Sequence, residues 1–228
     1  MAEREFWKKR LAPFAEAIES LEIAAAWGSR WSHEIWQLHV ASDDLQTHAE
    51  AFQKAGLIHW QDGAWSFTSK QLQVYLEEHA TEFNRWQAHH DRCLQLIEKH
   101  RNLSWRIGRH LFGAGRYNEA LQRLMEETKD CIDNHAFHEA SAAIATCKKT
   151  YEALDLPQPD RRGAEILLLE ARLAAFSGNP SLAVSKADDL LQLATERLWP
   201  EFHAHALRIK GRCMLESPNS NQAMRFLK

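Results

Sequence analysis

The residues of this 228-residue sequence best equipped for chemistry are its thirteen histidines and a set of scattered arginines. His89-His90, His135-x-x-His138 and His203-x-His205 are the closest histidine groups, and none supplies the third and fourth ligands that a zinc ion needs. His33-Glu34 and His138-Glu139 begin as a metalloprotease helix begins, but no second histidine follows one helical turn on. No Gly-x-Ser-x-Gly elbow occurs, and Cys93, Cys131, Cys147 and Cys213 form no Cys-x-x-Cys pair and have no evident activating neighbour. Gly108 and Gly113 have the spacing of a phosphate loop, yet Ala114-Gly115 stands where Lys-Ser/Thr is required. The motifs thus name no catalytic residue, no metal and no cofactor.

The elements that would position these residues are read from periodicity. Phe6, Leu11, Phe14, Ile18, Leu21 and Ala24 form the stripe of one amphipathic helix that Gly28 ends. A second helix fits Ser32 to Val40 with Ser32 as N-cap, and a third fits Asp43 to Ala55 with Ser42 as N-cap and Gly56 as stop. Leu57-Ile58-His59-Trp60 and Ala64-Trp65-Ser66-Phe67, joined by Gln61-Asp62-Gly63, predict a β-hairpin, because Asp-Gly supplies the positive φ angles of a tight turn. Three helices and a hairpin are the order of a winged helix. DNA reading is disfavoured, since the third helix opens on Asp43-Asp44 and sets Glu50 against a single Lys54, while the hairpin tip carries Asp62 and no cation. From Ser69 to about His100 the pattern predicts one long helix, and Trp36, Trp60 and Trp86 fall on apolar faces as core residues.

Downstream the pattern repeats. Ile107-Gly108, Leu111, Gly115, Tyr117, Ala120 and Leu124 follow the small-and-large order of a tetratricopeptide repeat, with Gly115 as the left-handed turn between two antiparallel helices. The order returns at Ala171, Ala174, Gly178, Pro180, Ala183 and Ala187, and again at Gly211, Met214, Pro218, Ser220 and Ala223. Phe137, Ala140 and Ile144 make a partial copy without a clear first helix. Gly115, Gly178 and Pro218 are unequally spaced, so the array is irregular and holds one inserted helix. Pro157-Gln158-Pro159-Asp160 is the best internal break, with Asp160 able to cap the next helix. The resulting fold class is all-α: a winged-helix-like domain with one β-hairpin over residues 1–85, then a tetratricopeptide-like α-α superhelix over residues 86–228.

In such repeats the ninth residue of each first helix faces the groove, which here is Arg109, Arg172 and Arg212, while Trp105 and Arg208 take another groove position, the fifth. Guanidinium forks at the four arginine positions, beside the Trp105 ring, suit the carboxylates of an acidic peptide or a chain terminus. The competing expectation is that the arginines pair with acidic neighbours such as Glu170 and Glu216 or simply solvate the helix face.

A net charge of −3 gives no global field to gather nucleic acid or an anionic membrane surface, and no window is apolar enough to span a bilayer. Unpaired cysteines and the absence of a signal-peptide pattern lead to a cytoplasmic expectation. The sequence ends at Met224-Arg225-Phe226-Leu227-Lys228, inside a helix expected from about Ser220, and so reads as an excerpt of a longer polypeptide.

Four stretches carry a family likeness: Leu21-Glu22-Ile23-Ala24-Ala25-Ala26-Trp27-Gly28; Phe52-Gln53-Lys54-Ala55-Gly56-Leu57-Ile58 leading into Trp65-Ser66-Phe67; Arg85-Trp86-Gln87-Ala88-His89-His90; and Gly108-Arg109-His110-Leu111 with Gly115. Together they resemble the region downstream of the nucleotide-binding domain in bacterial signal-transduction ATPases with numerous domains (STAND type), especially multidomain proteins that also carry a Ser/Thr protein kinase. The resemblance implies a noncatalytic segment in which the winged helix packs beside an adjacent ATPase domain and the repeats recruit a protein partner. The alternative is a transcription regulator whose winged helix reads DNA and whose helical part acts as sensor.

Overall fold

Pro13 interrupts the N-terminal stripe, because its ring removes a backbone donor and blocks the preceding helical turn. In the computed structural model, which describes residues 2–40, 44–99, 107–157 and 160–215, the expected single helix is therefore two. Helix α1 (Ala2–Leu11) runs into a 3-10 turn at Ala12–Phe14, and α2 (Ile18–Trp27) follows, buried at every residue from Ser20 to Trp27. Strand β1 (Arg30–Trp31) comes next, then α3 (His33–His39), whose N-cap Ser32 accepts a hydrogen bond from the Ile35 N–H at 3.2 Å. Helix α4 (Leu45–Lys54) stops ahead of Gly56 at φ +65°; the proposed cap Ser42 lies outside the described residues. The hairpin forms as expected from β2 (Ile58–Gln61) and β3 (Ala64–Phe67), with Asp62 at φ 50° and Gly63 at φ 74° making its turn. Trp60 pairs with Trp65 across it. Strand β1 adds to the far edge of β3 through Arg30 opposite Ser66 and Trp31 opposite Trp65, giving a three-stranded antiparallel sheet in the order β1-β3-β2.

The long helix expected after Ser69 is also two, α5 (Lys70–Glu82) and α6 (Trp86–Lys99), separated at Asn84, which takes the left-handed conformation at φ 57° that asparagine tolerates. Helix α7 (Ile107–Gly113) packs on α6. Aromatic and aliphatic side chains of α1 to α6 and the sheet share one core around Trp27, Trp36, Phe52 and Leu76. Trp36 is buried there and its indole N–H donates to the Ser20 carbonyl at 2.8 Å. Trp86 packs on that core partly buried, but Trp60, on the same face as its partner Trp65, is 45 % exposed because β2 is an edge strand, so the core expectation fails for it.

Two compact units divide the chain, Met1–Arg116 and Tyr117–Lys228. The second contains α8 (Tyr117–Asp133), α9 (Phe137–Ala153), α10 (Arg161–Phe176), α11 (Pro180–Glu196) and α12 (Pro200–Leu215). Each helix packs on the next, and α10 also packs directly on α8 and α12. Stacked helical hairpins result, with α8, α10 and α12 forming one layer. The partial copy at Phe137 gains its first helix from α8, which pairs with α9. Small residues make the close approaches: Ala164, Ala171, Ala183, Ala187 and Ala206 are all buried completely. Asp160 caps α10 by accepting from the Arg162 N–H at 2.9 Å. Apart from the small sheet, the fold is all-α.

Left-handed residues sit in the turns at His135, Asp155, Gly178 and Leu198. A leucine with φ 56° crowds its Cβ against the following carbonyl, a cost of about 1–2 kcal/mol. Leu198 is 85 % exposed, so little packing offsets that cost. Leu198→Gly is therefore expected to raise the thermal midpoint of the chain by a few degrees, corresponding to about 1 kcal/mol after glycine's own entropic penalty. A lowered midpoint in a circular-dichroism melt would contradict that assignment of strain.

Candidate functional site

Helix α10 presents Arg161, Glu165, Leu168, Arg172 and Phe176 at steps of three and four residues, which stack on one helical face. Helix α12 presents Glu201, His205, Arg208 and Arg212 in the same way. These two stripes, with Lys129 of α8, line one groove of about 670 Å³ whose apolar lining includes Leu168, Ala175, Phe176, Phe202 and Ile209.

Charges in the groove are partly matched. Lys129 pairs with Glu165 and Arg161 with Glu201, while the Arg172 Nη2 donates to Asp133 Oδ1 at 2.8 Å. Arg212 lies over the Phe176 ring, 4.3 Å from its centroid, and that stacking fixes the plane of its guanidinium. Arg208 is exposed and has no carboxylate partner among the described residues. The His205 imidazole is held below its ordinary pKa by partial burial first and then by the positive charges of Arg208 and Arg172, against a weaker opposing pull from Glu201. Its neighbours thus already resist a further proton, which makes this end of the groove receptive to an anion.

Of the five residues singled out from the sequence, Arg172, Arg208 and Arg212 come together in this groove. Arg109 lies exposed on α7 of the first unit, and Trp105 lies outside the described residues. Sequence reasoning missed Arg161, His205, Phe176 and Phe202; stepping by helical turns along α10 and α12 from Arg172 and Arg208 would have found the first three. The competing expectation of pairing with acidic neighbours holds for Arg172 through Asp133, though not through Glu170, which takes Lys148 and Lys186. Glu216 lies outside the described residues. His203 turns away from the groove and lines a separate shallow pocket with Leu198 and Trp199.

The remaining polar chemistry is internal. In the first unit, Glu22 is 0 % exposed within α2. Arg85 grips it with two donors, Nε at 2.9 Å and Nη2 at 2.7 Å, while His79 and His89 reach it at 2.7 Å and 3.0 Å. Burial raises its pKa, but the hydrogen bonds from His89, Arg85 and His79 outweigh burial and hold it at about 2. The Nε2 of His89 is therefore committed to a carboxylate. His90 contacts His110, Nδ1 to Nδ1 at 3.0 Å, and is pushed down to about 3 by burial and by the charges of Arg109 and His89. Among the described residues no group of three or more His, Cys, Asp or Glu could hold a metal. Burial raises the Cys147 thiol to about 11, leaving it protonated and unreactive. Gly108 and Gly113 both lie in helix α7, so no phosphate-cradling loop exists between them.

On α4, Glu50 accepts a 2.7 Å hydrogen bond from Gln46, which occupies an amide that base reading would need. Arg30 caps the hairpin tip by donating to the carbonyls of Gln61 and Asp62, both at 3.1 Å. No helix among the described residues is long and apolar enough to cross a membrane. Compared with models of protein families, with curated proteins and with solved structures, the chain matches none.

Proposed function

We propose that this chain is a noncatalytic interaction module, in which the stacked helices of the second unit capture an acidic peptide in the groove between α8, α10 and α12. The carrying observation is that Arg172, Arg208 and Arg212, which the repeat pattern assigns to groove positions, line one cleft beside an aromatic and aliphatic floor. Guanidinium forks recognise carboxylates by paired hydrogen bonds, and the apolar floor supplies the burial that charge alone lacks. The antiparallel hairpins and their alanine contacts support a tetratricopeptide-like reading, and the order of helices, β1 and hairpin in the first unit supports a winged-helix reading.

In this account the chain belongs to a larger cytoplasmic signalling ATPase or kinase of the STAND type. A partner held on the repeats biases how the winged helix packs against the ATPase domain of the parent chain. DNA reading draws no support from α4, whose exposed polar face pairs Gln46 with Glu50.

The test is binding of a fluorescein-labelled peptide of alternating glutamate and leucine, followed by anisotropy. Reversing two charges with Arg172→Glu and Arg212→Glu is expected to weaken binding by about a hundredfold, roughly tenfold for each lost charged hydrogen-bond set. Affinity unchanged by the double reversal rejects the groove.

A further inference from the structure

The groove is graded in charge along its length. At one end Arg161 meets Glu201 and Lys129 meets Glu165, so each cation has its own carboxylate. Farther along, Arg172 of α10 and Arg208 of α12 line the same groove as His205 and both act on its charge, and among the described residues Asp133 is the one carboxylate paired with an arginine of this trio. The floor beside them is Leu168 of α10 and Phe176, the ring under Arg212.

A carboxylate is planar, carries one charge and offers its acceptors in a single plane. Donors carried on two separate helices, α10 and α12, are better matched by a tetrahedral group with three acceptor oxygens and nearly two charges, which can also compete with Asp133 for Arg172. A neutral imidazole still donates one N–H to such a group, and the added negative charge would ease its protonation. Resting on the peptide-groove reading above, we propose that Arg172, His205 and Arg208 form a subsite for the phosphate of a phosphorylated serine or threonine, carried on a peptide whose neighbouring apolar side chain rests on Leu168 and Phe176. The occupant is a peptide because a free phosphate would leave that apolar floor uncovered.

The experiment uses the full chain and three labelled peptides of one sequence, leucine-rich on one flank, with serine, aspartate or phosphoserine at the centre. The phosphoserine peptide is expected to bind at least about tenfold more tightly than the aspartate peptide and about a hundredfold more tightly than the serine one. Arg208→Lys, which keeps the charge and loses the fork, should remove most of the phosphoserine preference, while an unchanged circular-dichroism spectrum shows that the fold persists. Equal affinity for the aspartate and phosphoserine peptides overturns the subsite but leaves the acidic-peptide groove standing. No binding by any peptide overturns both. Competition by inorganic phosphate at the concentration where the phosphopeptide itself saturates would show that a free anion is the ligand, and would likewise overturn the subsite.

Discussion

Glu22→Ala is expected to cost the first unit about 3 kcal/mol, because it removes the buried carboxylate that Arg85, His79 and His89 share. Arg85, His79 and His89 all direct hydrogen bonds at this carboxylate; Arg85 and His79 are partly exposed and keep access to water, whereas the buried His89 would lose its partner outright. All tryptophans except Trp199 lie in residues 1–116, so their fluorescence in a urea titration reports this unit. A loss below about 1 kcal/mol would mean that the cluster is a replaceable ornament of the fold. The same carboxylate sets an acid limit. Its pKa in the fold is about 2 against an ordinary 4.5, so its contribution is complete above pH 4.5 and disappears as pH falls toward 2. That shift corresponds to about 3 kcal/mol. His90 adds a loss of its own from pH 6.5 downward, since its folded pKa of about 3 keeps it neutral while the unfolded ring takes a proton. Glu22→Gln should flatten only the part below pH 4.5, which separates the two groups.

Gly113→Ala should be nearly as damaging, for reasons of space. A Cβ at this position would stand 2.3 Å from Cδ2 and 2.4 Å from Cγ of His90. That ring is 2 % exposed and hydrogen-bonded to His110, so it has no room to swing aside. Helix propensity alone would favour alanine over glycine by about 1 kcal/mol, whereas overpacking costs about 1–3 kcal/mol or more. The net expectation is a loss of about 2 kcal/mol in the same urea titration. In a double-mutant cycle, His90→Ala vacates the space, so the paired variant should be more stable than the sum of the single losses predicts. Strict additivity would show that the two residues do not meet.

How much could be read in advance depended on the range of the interaction. Asp62-Gly63, Gly115, Gly178 and the Asp160 cap announce themselves because turn and cap chemistry is settled within a few residues. The two-layer packing was legible in the small residues Ala171, Ala174, Ala183 and Ala187. Strand β1 was not, since two residues show no alternation and its pairing depends on β3 more than thirty positions away. Apolar spacing runs straight across Pro13, which concealed the break after α1. Glu22 was not singled out, because its partners are 57 to 67 residues distant and periodicity carries no information at that range. In the groove, three arginines could be selected by repeat position. Their sharing of a cleft with His205 and Phe176 depends on the side-by-side placement of α10 and α12, which no local pattern encodes.

The ion pair joining Arg161 to Glu201 links equivalent points on α10 and α12, 40 residues apart. Arg161 opens α10 and Glu201 lies in the first turn of α12, so the two helices meet there through unlike charges. A tandem copy of the α10–α11 hairpin would put Arg161 and Arg162 where α12 carries Pro200 and Glu201, setting arginine against arginine. The order of helices in this stack is thus written in its unlike ends, and repetition of one hairpin would turn an attraction into a repulsion.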